Sequence, residues 1–334
     1  MSKKKYDVYA IGNAVVDYVL ECSDDFLIEH GIEKSVMTLV DEERQVKVLA
    51  AVKDGIKKKE GGGSAANTIV ATSMLGGKSF YSCKVANDED GRFFLDELAN
   101  NGIDTNLDGS HLDAGITGKV LIMTTPDTER TMNTFLGISS AFSKAELRQD
   151  ALINSEYLFI EGYLVASETG REAMKVAKRM AEDNGVKVSI TFSDPSMVKY
   201  FQKEMEEVVG ASVDLLFCNE EEAMLFTKTD SVADAREELR KVARKFVITQ
   251  GKNGAMIFDG DTFVDIESYP VSAVDSNGAG DMFSGAFLYG ITNGHTMASS
   301  GKLASKAASE VVAKYGPRLT FHQLQEIKRE VFDI

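Results

Sequence analysis

From Phe80 onward the chain alternates short apolar runs with amphipathic ones: Phe80 to Ala86 then Gly91 to Asn101, Tyr157 to Glu161 then Thr169 to Asn184, and next Val186 to Phe192. Apolar runs of strand length, separated by helical periodicity, make βα units around a parallel sheet covered on both faces. The second half continues with Asp214 to Cys218, Ser231 to Lys241, Phe246 to Thr249 and Ala255 to Phe258. A helix from about Gly278 and another from about Thr296 to Tyr315 follow. The predicted class is α/β. One section breaks the pattern. Gly118 to Thr125 and Arg130 to Leu136 are strand-like and joined by Pro126-Asp127, with no helix between them. Such a hairpin cannot belong to a βαβ crossover, so it projects from the sheet. With Asp17 to Cys22 and Ser35 to Val40 it predicts a four-stranded lid, formed by about 17–40 and 115–137 and inserted in a single domain over 1–334. Asp41 to Lys58 has acids in its first turn, apolar residues at Val46, Leu49, Val52 and Ile56, and three lysines at its end. That pattern predicts one dipole-matched amphipathic helix.

Charge narrows the function. With 37 Lys and Arg against 52 Asp and Glu, the formal charge is 37 − 52 = −15, which argues against a nucleic-acid backbone as partner. No apolar run is long enough to span a bilayer, so no membrane partner is expected. The basic start Met1-Ser2-Lys3-Lys4-Lys5 leads into an apolar stretch broken at Gly12-Asn13 and Asp17, unlike an export signal, and predicts a cytoplasmic protein. Three scattered cysteines exclude a disulfide framework, and the four histidines form no metal-binding pair. Any metal should therefore be oxygen-ligated.

Global acidity does not prevent local anion binding by backbone amides. Asp275-Ser276-Asn277-Gly278-Ala279-Gly280-Asp281 runs into a small-residue helix, and a flexible turn there aims free N–H groups and the helix dipole at one point. Asp281 in the first turn either stabilises the helix or, beside a bound phosphate, accepts a proton from an attacking hydroxyl. Gly61-Gly62-Gly63-Ser64-Ala65-Ala66-Asn67 either makes a tight turn into a packed helix or allows close approach to a ligand that Asn67 can bond. Its loose dinucleotide fingerprint fails, because Lys57-Lys58-Lys59-Glu60 precede it instead of an apolar strand. Asn219-Glu220-Glu221-Glu222 directly follows an apolar strand; it is a dipole-matched acidic turn or a set of oxygen ligands for magnesium on a nucleotide. Thr249-Gln250-Gly251-Lys252-Asn253-Gly254 is another glycine loop after a strand. Asp17 could accept two hydrogen bonds from a vicinal diol, and Arg130 on the hairpin could reach a phosphate.

Taken together, Gly62-Gly63-Ser64-Ala65-Ala66-Asn67, Asp275 to Asp281 and Asn219 to Glu222 resemble, in order and separation, the signature motifs of the ribokinase (PfkB-type) family of carbohydrate and nucleoside kinases. The resemblance implies a ribokinase-like, Rossmann-like three-layer α/β/α sandwich with a small β-sheet lid. It also implies transfer of the ATP γ-phosphoryl group to a primary hydroxyl. Asp281 would be the catalytic base, the amides of Gly278, Ala279 and Gly280 the anion hole, and Arg130 a cation on the transferred group. Asn13, Asp17, Gly62, Gly63, Ser64 and Asn67 would grip the acceptor. Asn219 and Glu222 would organise Mg2+, Glu222 through water or phosphate, and Thr249, Gly251 and Gly254 would line the nucleotide groove. Gly12 to Asp17, the Asn-Gly-Ala-Gly-Asp run and Arg130 look most like the adenosine kinase branch. Adenosine is then the first expected acceptor, with a free sugar such as ribose or fructose, or binding without turnover, as alternatives. Phe135, Tyr163 and Phe192 are candidates to stack on a base. The resemblance admits K+ as a further cofactor and either a monomer or a homodimer.

Overall fold

The alternation closes into one sheet of nine strands. A computed structural model describes residues 4–52, 55–127 and 129–333, and the side chain of Arg130 also lies outside the described residues. The strands are β1 (Tyr6–Ile11), β2 (Val15–Glu21), β3 (Met37–Leu39), β4 (Ile56–Gly62), β5 (Ser79–Ser82), β6 (Asp104–Thr105) and β7 (Thr117–Thr124). They continue with β8 (Arg130–Gly137), β9 (Ser155–Glu161), β10 (Lys187–Thr191), β11 (Leu215–Asn219), β12 (Phe246–Thr249), β13 (Ala255–Phe258) and β14 (Phe263–Ile266). The helices are α1 (Asp24–Glu29), α2 (Glu42–Val52), α3 (Ser64–Met74), α4 (Glu89–Asn100), α5 (Gln149–Ile153), α6 (Glu168–Asp183) and α7 (Pro195–Tyr200). After them come α8 (Gln202–Val209), α9 (Glu220–Thr227), α10 (Val232–Leu239), α11 (Ala279–Thr292), α12 (Met297–Val312) and α13 (Phe321–Phe332).

The main sheet runs β14-β13-β12-β11-β10-β9-β1-β5-β6, parallel from β12 to β6, with β13 and β14 antiparallel at one edge. Every residue of β1 is buried. One face packs side chains such as Ile69 and Val70 of α3, Phe287 of α11 and Leu303 of α12; the other packs Met174 of α6, Met205 of α8 and Leu239 of α10. That is the three-layer α/β/α arrangement. Because β5 and β9 flank β1 on opposite sides, the chain winds outward in both directions, and a crevice opens at the carboxyl ends of β1 and β9.

The second sheet has the order β3-β8-β7-β2-β4. Its outer face buries Leu20, Leu121 and Met123 against Leu27 of α1 and Val48 and Val52 of α2. Its inner face carries Val15, Val120 and Ile122, with Met132 and Leu136 beside them. Alternation along each strand separates the two sets. The sheet is tied to the core at Asp90, which opens α4 and is 6% exposed. Asp90 accepts bonds from Tyr18 of β2 (2.6 Å), Lys59 of β4 (2.6 Å) and Lys119 of β7 (2.7 Å).

The expected helix over Asp41 to Lys58 stops at Val52, and Ile56–Gly62 is a fifth strand of the second sheet. Its lysines do not match a helix dipole. Lys59 reaches Asp90, and Lys58 pairs with Glu60 at 2.7 Å. As an edge strand, β4 gains from lysines, which discourage further strand addition. Among the described residues, no helix is long and apolar enough to cross a membrane.

Candidate active site

Helix α11 starts from a backbone turn that only glycine fits. Gly278 has φ 73°, and a Cβ there would lie 2.6 Å from Pro317 Cα. Asp275, 4% exposed, fixes the turn: its carboxylate accepts from the amides of Asn277 and Gly316, both at 2.9 Å. The Ala279 amide makes a 3.3 Å contact with the Ser276 carbonyl, at the far end of hydrogen-bond range. Among the described residues, the amides of Gly280 and Asp281 have no acceptor. First-turn donors of this kind, at the positive end of the dipole, form an anion site.

In that same turn stands Asp281. Ser64 Oγ donates to its Oδ1 at 2.6 Å and Asn67 Nδ2 to its Oδ2 at 3.0 Å. Both donors come from the first turn of α3, which opens at Gly63 with φ 104°, where the Asn13 carbonyl approaches too closely to admit a Cβ. The two glycine motifs, over 200 residues apart in the chain, therefore meet at one carboxylate. Burial pushes the Asp281 carboxyl above the usual range, while the bonds from Ser64 and Asn67 and the charge of Arg318 pull it back.

Two residues that sequence reasoning missed complete the floor. Glu161, fully buried at the carboxyl end of β9, accepts from the Asn13 amide (3.1 Å), Asn13 Nδ2 (3.0 Å) and the Ala65 amide (2.8 Å). Burial raises its pKa to about 7, with those N–H bonds acting in the opposite sense. Asn13 is thus held in the frame, and its Oδ1 also accepts from Ser139 at 3.2 Å. Arg318, 8% exposed, donates from Nε to Asn67 Oδ1 at 2.8 Å. The available signal for Glu161 was a charged residue closing an apolar strand; Arg318 had none.

Above this floor lies a cavity of about 560 Å³. Asp17, Gly63, Ser64, Asn67, Glu161 and Asp281 line its base. Val15, Met37, Val120, Ile122, Met132 and Leu136 of the second sheet form its roof, with Leu39 at 58% exposure marking the rim. Gly278 and Gly280 line it, as do Asn219 and Thr249 at the carboxyl ends of β11 and β12 and Glu222 in the first turn of α9. Gly62, Gly251 and Gly254 do not. A Cβ on Gly62 would strike Asp17, while Gly251 and Gly254 shape the turn between β12 and β13. Tyr163 faces the cavity, Phe192 is core packed on Phe226, and Phe135 is not among the lining residues. Among the described residues, the lining contains no Lys, Arg or His. Arg130 opens β8, but its side chain lies outside the described residues.

Asn219 and Glu222 bond each other in a reciprocal cap: Glu222 accepts from the Asn219 amide (2.9 Å) and Nδ2 (3.1 Å), and its own amide donates to Asn219 Oδ1 (2.8 Å). Burial raises the Glu222 pKa to about 7, with Asp194 and Glu221 adding to the rise. Among the described residues, no group of three or more His, Cys, Asp or Glu could hold a metal directly. The hard oxygens of Asn219 and Glu222, each already engaged, fit magnesium held through its waters or through phosphate.

A model of the pfkB family carbohydrate kinases matches residues 38–323. A 5-dehydro-2-deoxygluconokinase of Geobacillus thermodenitrificans is 27% identical over 80% of this chain and 83% of its own. Among solved structures, a probable sugar kinase from Rhizobium etli superposes with TM-score 0.89 at 32% identity, covering 99% of this chain and all of the other. The adenosine kinase of Sinorhizobium meliloti gives TM-score 0.87 at 31% identity over 98% and 99% of the two chains. With the family model spanning most of its length, the chain belongs to the pfkB family as a kinase of sugars or nucleosides.

Proposed function

We propose that the acceptor is a nucleoside, adenosine first, phosphorylated by ATP on its primary hydroxyl. The character of the cavity carries this reading. Its roof is aliphatic and thioether surface, which suits a flat, neutral base, and its described lining holds five carboxylates without a cation. An acidic sugar, such as the substrate in the name of the Geobacillus relative, would meet Asp17, Glu161 and Asp281 with no counter-charge among the described lining residues. A bare neutral sugar would leave the roof uncovered.

In this reading Asp17 receives the ribose diol and Asp281 accepts the proton of the attacking hydroxyl. The new bond joins that oxygen to the γ-phosphorus as the bond to the β–γ bridging oxygen breaks, releasing ADP and the phosphate ester. The free amides of Gly280 and Asp281 would hold the transferred oxygens, with the Ala279 amide shared with the Ser276 carbonyl, and Arg130 is a further cation for them on sequence grounds. Magnesium, when bound with ATP, would neutralise phosphate charge, held by Asn219 and Glu222 through water or phosphate. Thr249 borders the nucleotide end, and the lid would exclude water from the reaction.

ADP formation measured across adenosine, inosine, ribose, fructose and 5-dehydro-2-deoxygluconate tests the assignment. A base buried under the roof should give adenosine about a 10- to 100-fold advantage in kcat/KM over the free sugars. Preference for a free sugar or for the acid would overturn it.

A further inference from the structure

We infer that Arg318 is a positioning residue that fixes Asn67, and through it Asp281, in register with strand β4. Three contacts define it. Arg318 Nε donates to Asn67 Oδ1 at 2.8 Å, and Arg318 Nη1 pairs with Glu97 Oε2 of α4 at 3.2 Å. The same Glu97 oxygen accepts the amide of Gly61 at 2.6 Å, near the end of β4. Strand β4, helix α4, the segment after α12 and helix α3 are thereby linked in one bonded chain ending at Asp281.

The argument rests on donor arithmetic. An amide side chain can turn over, exchanging its oxygen for its NH2 with little change of shape. Only one orientation offers NH2 to Asp281; the other would press a carbonyl oxygen against an ionised carboxylate. A guanidinium can only donate, so Arg318 holds the Asn67 oxygen and leaves the NH2 facing Asp281. Glu97 in turn holds the guanidinium. Because Arg318 is buried and does not line the cavity, its charge acts on the base without offering a site for anions.

The groups around this pair make the consequence testable. Arg318, Glu161 of β9 and Tyr163 all lie within electrostatic reach of Asp281. Glu97 and Tyr81 face Arg318 itself. Loss of the guanidinium removes the one cation in this set and frees Asn67 to turn, and both changes favour protonated Asp281.

This inference rests on Asp281 serving as the base, and the test separates the two. The pH profile of kcat is measured for wild type, Arg318→Gln and Arg318→Lys with adenosine, or with whichever panel acceptor turns over fastest. In Arg318→Gln the acid limb should move up by about 0.5–1 in pH, and kcat should fall about 10- to 100-fold with KM changed less than about threefold. Arg318→Lys keeps the charge but not the fork, so its acid limb should stay in place while kcat falls about 3- to 10-fold. An unmoved limb in Arg318→Gln, or a kcat loss that only tracks a lower melting temperature, overturns the inference. If Arg318→Gln does not fold, wild-type kcat in Arg318→Lys overturns it. Asp281→Asn with normal turnover would remove the base and this inference together, whereas an inactive Asp281→Asn beside an unmoved limb removes the inference alone.

Discussion

The floor and the roof of the cavity are built by opposite rules. On the floor, Asp281, Glu161, Ser64, Asn67 and Asn13 are tied to one another by bonds of 2.6–3.1 Å, so each atom has one allowed place. The roof holds its side chains by apolar contact, with Val15, Val120 and Ile122 clustered and Met132 and Leu136 packed, partly buried, beside them. Chemistry at a phosphorus centre requires fixed donors and acceptors, while selection of a flat apolar group requires area. Substitutions on the floor should therefore act on turnover and on pH response, and substitutions in the roof on affinity.

The largest effect is expected at Asp281. Asp281→Asn should lower kcat by about 10³-fold or more while KM stays within a few-fold, as steady-state kinetics would show; comparable losses in both would mean a binding role instead. Next comes Glu161. A carboxyl whose pKa rises from 4.5 to about 7 on folding binds its proton more tightly in the native state. Its contribution is complete at low pH and is lost as pH climbs through that window. The stability of wild type minus that of Glu161→Gln should thus decline by about 1–3 kcal/mol between pH 4.5 and 7 in denaturation experiments. A flat difference would show an ordinary carboxyl.

The roof should give smaller and pH-independent changes. Ile122→Ser, at a buried position, should raise KM for adenosine about 5- to 20-fold with kcat nearly kept. Leu39→Ser, at the exposed rim, should change KM by less than about threefold. A kcat loss as large as that at Asp281 from either variant would erase the division between the two surfaces.

Much of this division could be read from local pattern. The parallel sheet announced itself through apolar runs of strand length, and the hairpin of β7 and β8 through Pro126-Asp127. Asp281 and Ser64-Asn67 were visible because glycine runs before small-residue helices are a local feature. Strand β4 was not, since Lys57-Lys58-Lys59 fits the end of a helix until Asp90 and Glu60 are seen beside it. Glu161 and Arg318 were hidden for a related reason. Their partners lie 148 and 251 positions away in the chain, and no short window shows that a lone acid will be buried against Asn13 or a lone arginine against Asn67.

The sign of charge around the cavity matters again once a phosphate ester exists. Asp17, Glu161, Asp194, Glu222 and Asp281 border the space in which, on the proposed reading, a neutral alcohol would become a dianion. Repulsion then favours the outward journey of what has been made over its retention. On that reading the carboxylates would welcome an uncharged guest and oppose its phosphorylated form, so one set of side chains would bear on both entry and clearance.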